Sequence, residues 1–170
     1  MDRKVLAKAG LAVLGWETFW WLWQKAERHA VFAKARKAAD AAGKPLLVIG
    51  EPDGEYPCGD VTVDIRPTSV CPVYVRTSIE DLSAFKDKTF GAVFVSFLVS
   101  YTCAPWKAFS ELERVADVVM VVEPKPWRLT SYLIPGRRWL ILGKENRRYI
   151  QLPWKQCGYP TRYGTPLGNT

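Results

Sequence analysis

The sequence has few of the residues that build metal centres. It contains one histidine, His29, and four cysteines, Cys58, Cys71, Cys103 and Cys157, with no Cys-x-x-Cys pair among them. Zinc sites need clustered cysteine and histidine ligands at short spacings, so we expect no bound metal. The irregular spacing instead indicates reduced thiols, with one disulfide left open by the sequence. Reduced thiols predict a domain in the cytoplasm or on the cytoplasmic face of a membrane.

Internal repeats are also absent, and hydrophobic residues make up 48% of the 170-residue chain. That content is enough to fill the core of one domain and argues against disorder. Positive charge is in excess, at +7, which favours an anionic partner, although ordinary solvated surface charge explains it equally well. The basic residues are not interleaved with aromatic ones, so sequence-specific nucleic-acid binding is not expected.

Proline is missing from the first 44 residues, which predicts an uninterrupted helix from Val5 to Ala42 that ends at Gly43. Its first half is apolar on nearly all sides, and its second half is basic. Three explanations stay open: the helix spans a bilayer, lies at a membrane interface, or packs against another protein or its own domain. Lys8 can snorkel near one end of a span, whereas Glu17 is harder to place there. The expected contact residues are the tryptophans Trp16, Trp20, Trp21 and Trp23.

After Lys44, short β-rich runs alternate with helical or loop segments, which is typical of an α/β fold with a largely parallel sheet. A capped helical turn or a loop is predicted at Ser78–Phe85 and an amphipathic helix at Pro105–Ala116. The buried face of that helix is expected to carry Trp106, Phe109, Leu112 and Val115. Strands are predicted at Lys44–Gly50, Asp60–Ile65, Cys71–Arg76, Phe90–Phe97 and Asp117–Glu123.

The C-terminal part has a different pattern. Two apolar runs around Gly143–Asn146 predict an antiparallel β-hairpin that closes the parallel sheet. The chain therefore divides into an N-terminal helix over residues 1–43, an α/β domain over 44–153 and an extended tail over 154–170. Arginines flank the hairpin and form either a surface for an anionic partner or a charged edge that prevents aggregation. They are Arg137, Arg138, Arg147 and Arg148.

One long stretch, Thr77–Trp127, carries a recognisable order of motifs. An acidic segment (IEDL) is followed by a phenylalanine-led strand (FGAVFVSF), a proline-started helix ending in ELERV, and a further apolar strand (DVVMVVE). In this order the chain resembles the class I S-adenosylmethionine-dependent methyltransferase family. The resemblance covers Lys44 to about Leu152. It implies a Rossmann-like domain with a mostly parallel sheet and S-adenosylmethionine as cofactor.

The resemblance also implies a set of cofactor-binding residues. Gly50, at the end of the first strand, would lie under the methionine part of the cofactor. Glu51 and Asp53 either replace an acid that the family has in this turn or only form a polar turn with Pro52 and Gly54. Asp64 would accept hydrogen bonds from the ribose hydroxyls. No catalytic residue is implied, because methyl transfer from a sulfonium depends mainly on positioning. The remaining positions are Ser78, Ile79 and Glu80 beside the adenine, and Ser96 and Phe97 near the methyl group.

Three features depart from the family pattern. The family's glycine-rich turn leads into a helix, whereas here only eleven residues separate Ile49 from Val61, and prolines are among them. The acid usual after Phe90 is Gly91 in this chain. The histidine usual after the fourth strand is Tyr101.

Two functions therefore stay open. One is a membrane-associated or assembly-associated methyltransferase that transfers the methyl group to an acceptor not specified by the sequence. The other is a catalytically inactive module of the same fold, anchored by its N-terminal helix. We expect the turn from Gly50 to Asp60 to discriminate between them, because Tyr56 or Pro57 folded inward would fill the adenosine space.

Overall fold

A computed structural model of the chain describes residues 3–67, 69–134, 136–143 and 146–152. The tail expected at 154–170 and the centre of the hairpin turn lie outside these residues. The structure has three α-helices and seven strands within them, with a short 3₁₀ turn at Val99–Tyr101. The helices are α1 Arg3–Ala42, α2 Pro105–Val115 and α3 Thr130–Leu133. The strands are β1 Leu46–Ile49, β2 Val61–Asp64, β3 Tyr74–Arg76, β4 Phe90–Ser96, β5 Ala116–Val122, β6 Trp139–Leu142 and β7 Arg148–Gln151.

The first five strands form one parallel sheet in the order β3-β2-β1-β4-β5. The predicted α/β class with a parallel sheet is therefore confirmed. The predicted turn at Ser78–Phe85 contains no helix, and every predicted strand appears with ends shifted by a few residues. The antiparallel hairpin of β6 and β7 is confirmed as well, but it forms a separate two-stranded sheet and does not close the parallel one.

The two faces of the sheet are covered by different helices. On one face, Phe32, Ala35 and Ala39 of α1 pack against side chains of β1 and β4. On the other face, the buried side of α2 packs against alternate residues of the same strands, because successive side chains of a strand point to opposite faces. Trp106 was expected on that buried side but is 56% exposed, and its ring contacts Trp139 of β6 instead.

Helix α1 ends as the sequence predicts, since Gly43 adopts a positive φ of 62° after the last helical residue. Its second half lies unusually close to β4. A Cβ atom built on Gly91 would lie 2.9 Å from Ala39 Cα, so only glycine fits there. The docking of α1 therefore explains why glycine stands where the methyltransferase pattern has an acid.

The connection from β1 to β2 has no helix, and α1 supplies the helical layer on that face. Tyr56 from this connection is buried against Phe32 and Phe94, with ring centroids 6.0 and 5.1 Å away. Asp60 anchors the far end of the connection, because its carboxylate accepts hydrogen bonds from Arg36 and from the Leu46 N–H, both at 2.7 Å. Eleven residues are therefore enough for this parallel crossover.

The expectation of reduced thiols is wrong at Cys58 and Cys71, which form a disulfide with Cα atoms 5.7 Å apart. Cys103 is disulfide-bonded too. The first bridge ties the β1–β2 connection to the segment that precedes β3. Structural disulfides are typical of oxidising compartments, so the argument that placed the protein in the cytoplasm from its thiols no longer holds.

The apolar first half of α1 is held at one side by the segment between β5 and β6. Glu17, which is awkward in a bilayer, accepts hydrogen bonds from the Leu129 N–H at 2.8 Å and from the Arg128 guanidinium at 3.1 Å. Trp20 stacks edge-on against Trp127. No helix in the described part of the chain combines the length and the apolarity needed to cross a membrane.

Candidate ligand cleft

A cleft of about 680 Å³ opens at the carboxyl ends of the parallel strands. It lies where the strand order reverses, between β1 and β4. The β1–β2 connection packs with the α1 face, whereas α2 covers the opposite face, so the two connections diverge and leave a crevice. All eight residues predicted from the resemblance line this cleft: Gly50, Glu51, Asp64, Ser78, Ile79, Glu80, Ser96 and Phe97.

The floor of the cleft has two residues with unusual backbone conformations. Gly50 has a φ of 95°, and its N–H donates to the Val63 carbonyl at 2.7 Å. Phe97, which follows Ser96 at the end of β4, has a φ of 56°, and its N–H donates to the Val122 carbonyl at 2.8 Å. A bulky residue at positive φ is strained, and such strain is concentrated at functional sites.

Asp64 lies at the end of β2 and is 7% exposed. Its carboxylate accepts the Glu51 N–H at 2.8 Å and the Arg66 N–H at 3.2 Å. Asp64 thus fixes the first residues after β1, as an acid in a loop-capping role does. A carboxylate has about four acceptor positions, so these two bonds leave capacity for a ligand hydroxyl.

The Glu51 side chain is also hydrogen-bonded to a loop, the one between β2 and β3. Its carboxylate accepts hydrogen bonds from the Ser69 hydroxyl and from the Val70 N–H, the latter at 3.4 Å. Glu51 and Asp64 therefore join the ends of β1 and β2, and the part of the cleft that these two acids line is its acidic end.

The residues expected beside an adenine have mainly structural contacts. The Glu80 carboxylate accepts the Cys103 and Ala104 N–H groups at 2.6 and 2.9 Å, so it fixes the two residues that precede α2. Ser78 accepts the Glu80 N–H at 3.1 Å, and Ile79 is a core residue at 3% exposure. Of these three residues, only Ser78 and Glu80 carry polar side chains.

The turn from Gly50 to Asp60 leaves the cleft open. Tyr56 folds inward, but it packs into the aromatic cluster under α1, and its neighbours from Glu51 to Glu55 form one wall. Burial raises the pKa of the Tyr56 hydroxyl well above its usual range, which keeps it neutral. The inward tyrosine therefore forms part of the wall and does not occupy the cavity.

Three arginines from two distant segments line the basic end of the cleft, and the sequence did not place them there. Arg28 of α1 pairs with Glu55, and its guanidinium lies 4.8 Å from the centre of the Phe97 ring. Arg137 and Arg138 are each only 2% exposed, because the segment before β6 docks on the 3₁₀ turn. The Arg138 N–H donates to the Ser100 carbonyl at 2.8 Å.

The four hairpin arginines consequently do not share one exposed surface. Arg147 pairs with Glu113 at 2.8 Å and lies over the Phe109 ring, whereas Arg148 is exposed. The sequence feature that could have indicated Arg137 and Arg138 as site residues is that they are adjacent arginines just before a β-rich run. The sequence did not reveal which elements would cover them.

Behind the cleft, Glu123 is enclosed between the end of β5 and the 3₁₀ turn. Its Oε1 accepts the Val99 N–H at 3.1 Å, and its Oε2 is inaccessible to water and has no hydrogen-bond partner among the described residues. Desolvation raises the pKa of Glu123 to about 7, and the positive charge of Arg137 acts in the opposite direction. This carboxyl group therefore titrates near neutral pH.

We expect Glu123 to make the protein less stable as pH rises. Its pKa in the folded state, about 7, exceeds the reference value of 4.5, so the folded state binds more protons between those values. The stabilisation is complete below about pH 4.5 and is lost as pH rises through about 7, up to about 3 kcal/mol in total. Urea unfolding of the wild type and Glu123→Gln at about pH 5 and pH 8 measures it. An equal change with pH in both proteins would contradict the assignment.

Among the described residues, no group of histidine, cysteine and acidic side chains could hold a metal ion. Comparison of the whole chain with known proteins adds no relative. No protein-family model, no curated protein and no solved structure matches the sequence or the fold at a significant level.

Proposed function

We propose that the chain is a methyltransferase-like protein that binds S-adenosylmethionine in the cleft between β1 and β4. The observation that carries the proposal is the convergence of all eight residues implied by the motif resemblance on this one cavity. The strand order supports it, because β3-β2-β1-β4-β5 is the order of doubly wound nucleotide-binding sheets, which bind ligands where the order reverses. A volume of about 680 Å³ is within the range of small-molecule sites.

In this proposal different residues of the cleft bind different parts of the cofactor. Asp64 accepts hydrogen bonds from the ribose hydroxyls with the acceptor capacity that its loop contacts leave free. Gly50 allows close approach of the cofactor at the end of β1, and Ser96 and Phe97 form the surface near the methyl group. The sulfonium is already activated, so the protein needs only to bind, orient and exclude water.

Replacing Asp64 by asparagine is expected to weaken the binding of S-adenosylhomocysteine about 10-fold or more, because a charge-assisted hydrogen bond becomes a neutral one. Asparagine keeps the size and one acceptor oxygen, so the Glu51 N–H retains a partner. Calorimetric titration of the full chain with S-adenosylmethionine and S-adenosylhomocysteine measures the effect.

The matched control is Glu113→Gln, which removes an acid that pairs with Arg147 outside the cleft. It should bind the cofactor as the wild type does. If the wild type gives no heat and no thermal shift at millimolar cofactor, the proposed cofactor is wrong. If Asp64→Asn and Glu113→Gln bind equally well, the ribose role of Asp64 is wrong.

We propose a second role for the first half of α1, as an anchor on an anionic lipid surface. Glu17 of this half faces the domain and pairs with Arg128, and Glu27, about one turn beyond this half, pairs with Lys125. The outward surface is left with large apolar side chains and lysines, such as Trp21 with Lys25 over its ring at 5.7 Å. Tryptophan and lysine together favour the headgroup region of a membrane. The exposed aromatic residues are Trp16, Phe19, Trp21 and Trp23.

The full chain is expected to sediment with vesicles that contain phosphatidylserine and less with vesicles of phosphatidylcholine alone. Replacing Phe19 and Trp23 by serine should weaken vesicle binding by about 10-fold or more, because two large apolar side chains no longer enter the interface. Trp106→Ser is the control, since Trp106 is equally exposed but lies on α2. Concentration-dependent self-association without vesicle binding would assign the surface to a protein partner.

A further inference from the structure

Arg137 is the least satisfied charged side chain that lines the cleft. It is 2% exposed, and its Nε and Nη1 atoms have no hydrogen-bond partner within the part of the chain that the structure describes. Its guanidinium lies 5.7 Å from the centre of the Tyr101 ring, a contact that holds the side chain without using its N–H groups. Charged donors that are buried without acceptors are costly, so an arginine kept in this state suggests an acceptor that arrives with a ligand.

The acid that acts electrostatically on Arg137 is a poor counterion. The Oε2 of Glu123 and the Nε and Nη1 of Arg137 have no hydrogen-bond partners among the described residues, and the pKa of about 7 leaves Glu123 about half protonated at neutral pH. The other cleft arginine with an unpartnered Nε, Arg28, already has Glu55 on its Nη1. Arg137 is therefore a buried positive charge of the cleft that Glu123 compensates only in part.

Two kinds of backbone N–H group that could bind an anion in place of Arg137 are not available in this cleft. The helix that follows the first strand in nucleotide-binding sheets is missing, so it offers no N-terminus to the cleft. The amides before α2 are occupied, because Glu80 accepts the Cys103 and Ala104 N–H groups. Neither of these two backbone sites is open to an anion, which leaves the side chain of Arg137 as the buried cationic donor at this end of the cleft.

We propose that the basic end of the cleft is an oxyanion subsite centred on Arg137, which takes a carboxylate or phosphate group of a ligand. The subsite does not depend on the identity of the cofactor. It gives the cleft two chemically distinct ends, with Asp64 and Glu51 suited to hydroxyl and cationic groups and Arg137 suited to an anion. A ligand that carries both kinds of group would bind in one orientation.

The test is a titration of the full chain with inorganic phosphate. Binding is monitored by the line width of the phosphorus NMR resonance. Sodium chloride keeps the ionic strength constant, so that screening does not change. We expect saturable binding in the millimolar range, and binding about 10- to 100-fold weaker in Arg137→Met. Competition with acetate separates the two sources: efficient displacement indicates a carboxylate ligand, and weak displacement indicates a phosphate.

Arg147→Met is the matched control, because Arg147 is also an arginine on an aromatic ring but pairs with Glu113 outside the cleft. It should bind phosphate as the wild type does. If Arg137→Met does not fold, Arg137→Lys serves instead, since it keeps the charge but loses the planar set of donors and should also bind more weakly. Phosphate binding that is absent from the wild type, or equal in the Arg137 and Arg147 variants, overturns the proposal. Neither result depends on S-adenosylmethionine.

Discussion

Replacing Phe94 by alanine is expected to lower the free energy of unfolding by about 3–5 kcal/mol. Phe94 is fully buried in β4, and its ring contacts Phe32 of α1 at 5.4 Å and Tyr56 of the β1–β2 connection at 5.1 Å. The truncation removes a large apolar side chain and leaves a cavity that a packed sheet and helix cannot close. It also weakens the one cluster that attaches both α1 and the connection to the sheet. Urea unfolding of the full chain measures the loss.

Phe85→Ala is the control, because Phe85 is only half-buried at the margin of the other core, against Phe90. It should cost clearly less than Phe94→Ala. The wall of the cleft gives a second readout: since Tyr56 rests on Phe94, we expect cofactor affinity to fall in Phe94→Ala and to be unchanged in Phe85→Ala. A stability loss below about 1 kcal/mol for Phe94→Ala would show that α1 and the connection are held by other contacts.

Loss of the Cys58–Cys71 disulfide is expected to destabilise the protein by about 3 kcal/mol. The bridge closes a loop with a sequence separation of 13, and its removal returns that conformational freedom to the unfolded chain. The double variant Cys58→Ser, Cys71→Ser isolates this bridge, whereas a reducing agent would also break the disulfide of Cys103. Urea unfolding of both proteins without reductant measures the difference.

The control compares the double variant with and without reductant, which gives the contribution of the Cys103 disulfide alone. We also expect weaker cofactor binding in the double variant. The bridge holds the segment whose Ser69 hydroxyl and Val70 N–H donate to Glu51, beside the acidic end of the cleft. Equal stability of the wild type and the double variant would mean that packing of the connection is sufficient without the bridge.

Local patterns in the sequence were enough to predict the five strands of the parallel sheet, the hairpin and the two longer helices, whereas the candidate cleft residues came from the family resemblance. A proline-free segment ended by Gly43 is helical whatever surrounds it, and apolar β-rich runs such as Phe90–Ser96 become buried strands. The candidate residues implied by the resemblance lie at or just after the ends of these runs. The carboxyl ends of parallel strands meet at one edge, so Gly50, Asp64 and Ser96 had to converge once the strands were parallel.

The tertiary structure decided the features that depend on contacts between distant segments. Four cysteines allow three pairings, and only the fold places Cys58 next to Cys71. Hydropathy predicted exposed arginines near the hairpin, but the docking of that segment on the 3₁₀ turn buried Arg137 and Arg138. The role of Gly91 could not be read from the local sequence either, since the reason for its small size is a helix about 50 residues earlier in the chain. The sequence by itself determined which segments are helices and strands and which edge of the sheet is polar. Packing decided that α1 covers the face left open by the missing helix between β1 and β2, because either face of the sheet could have accepted an apolar helix.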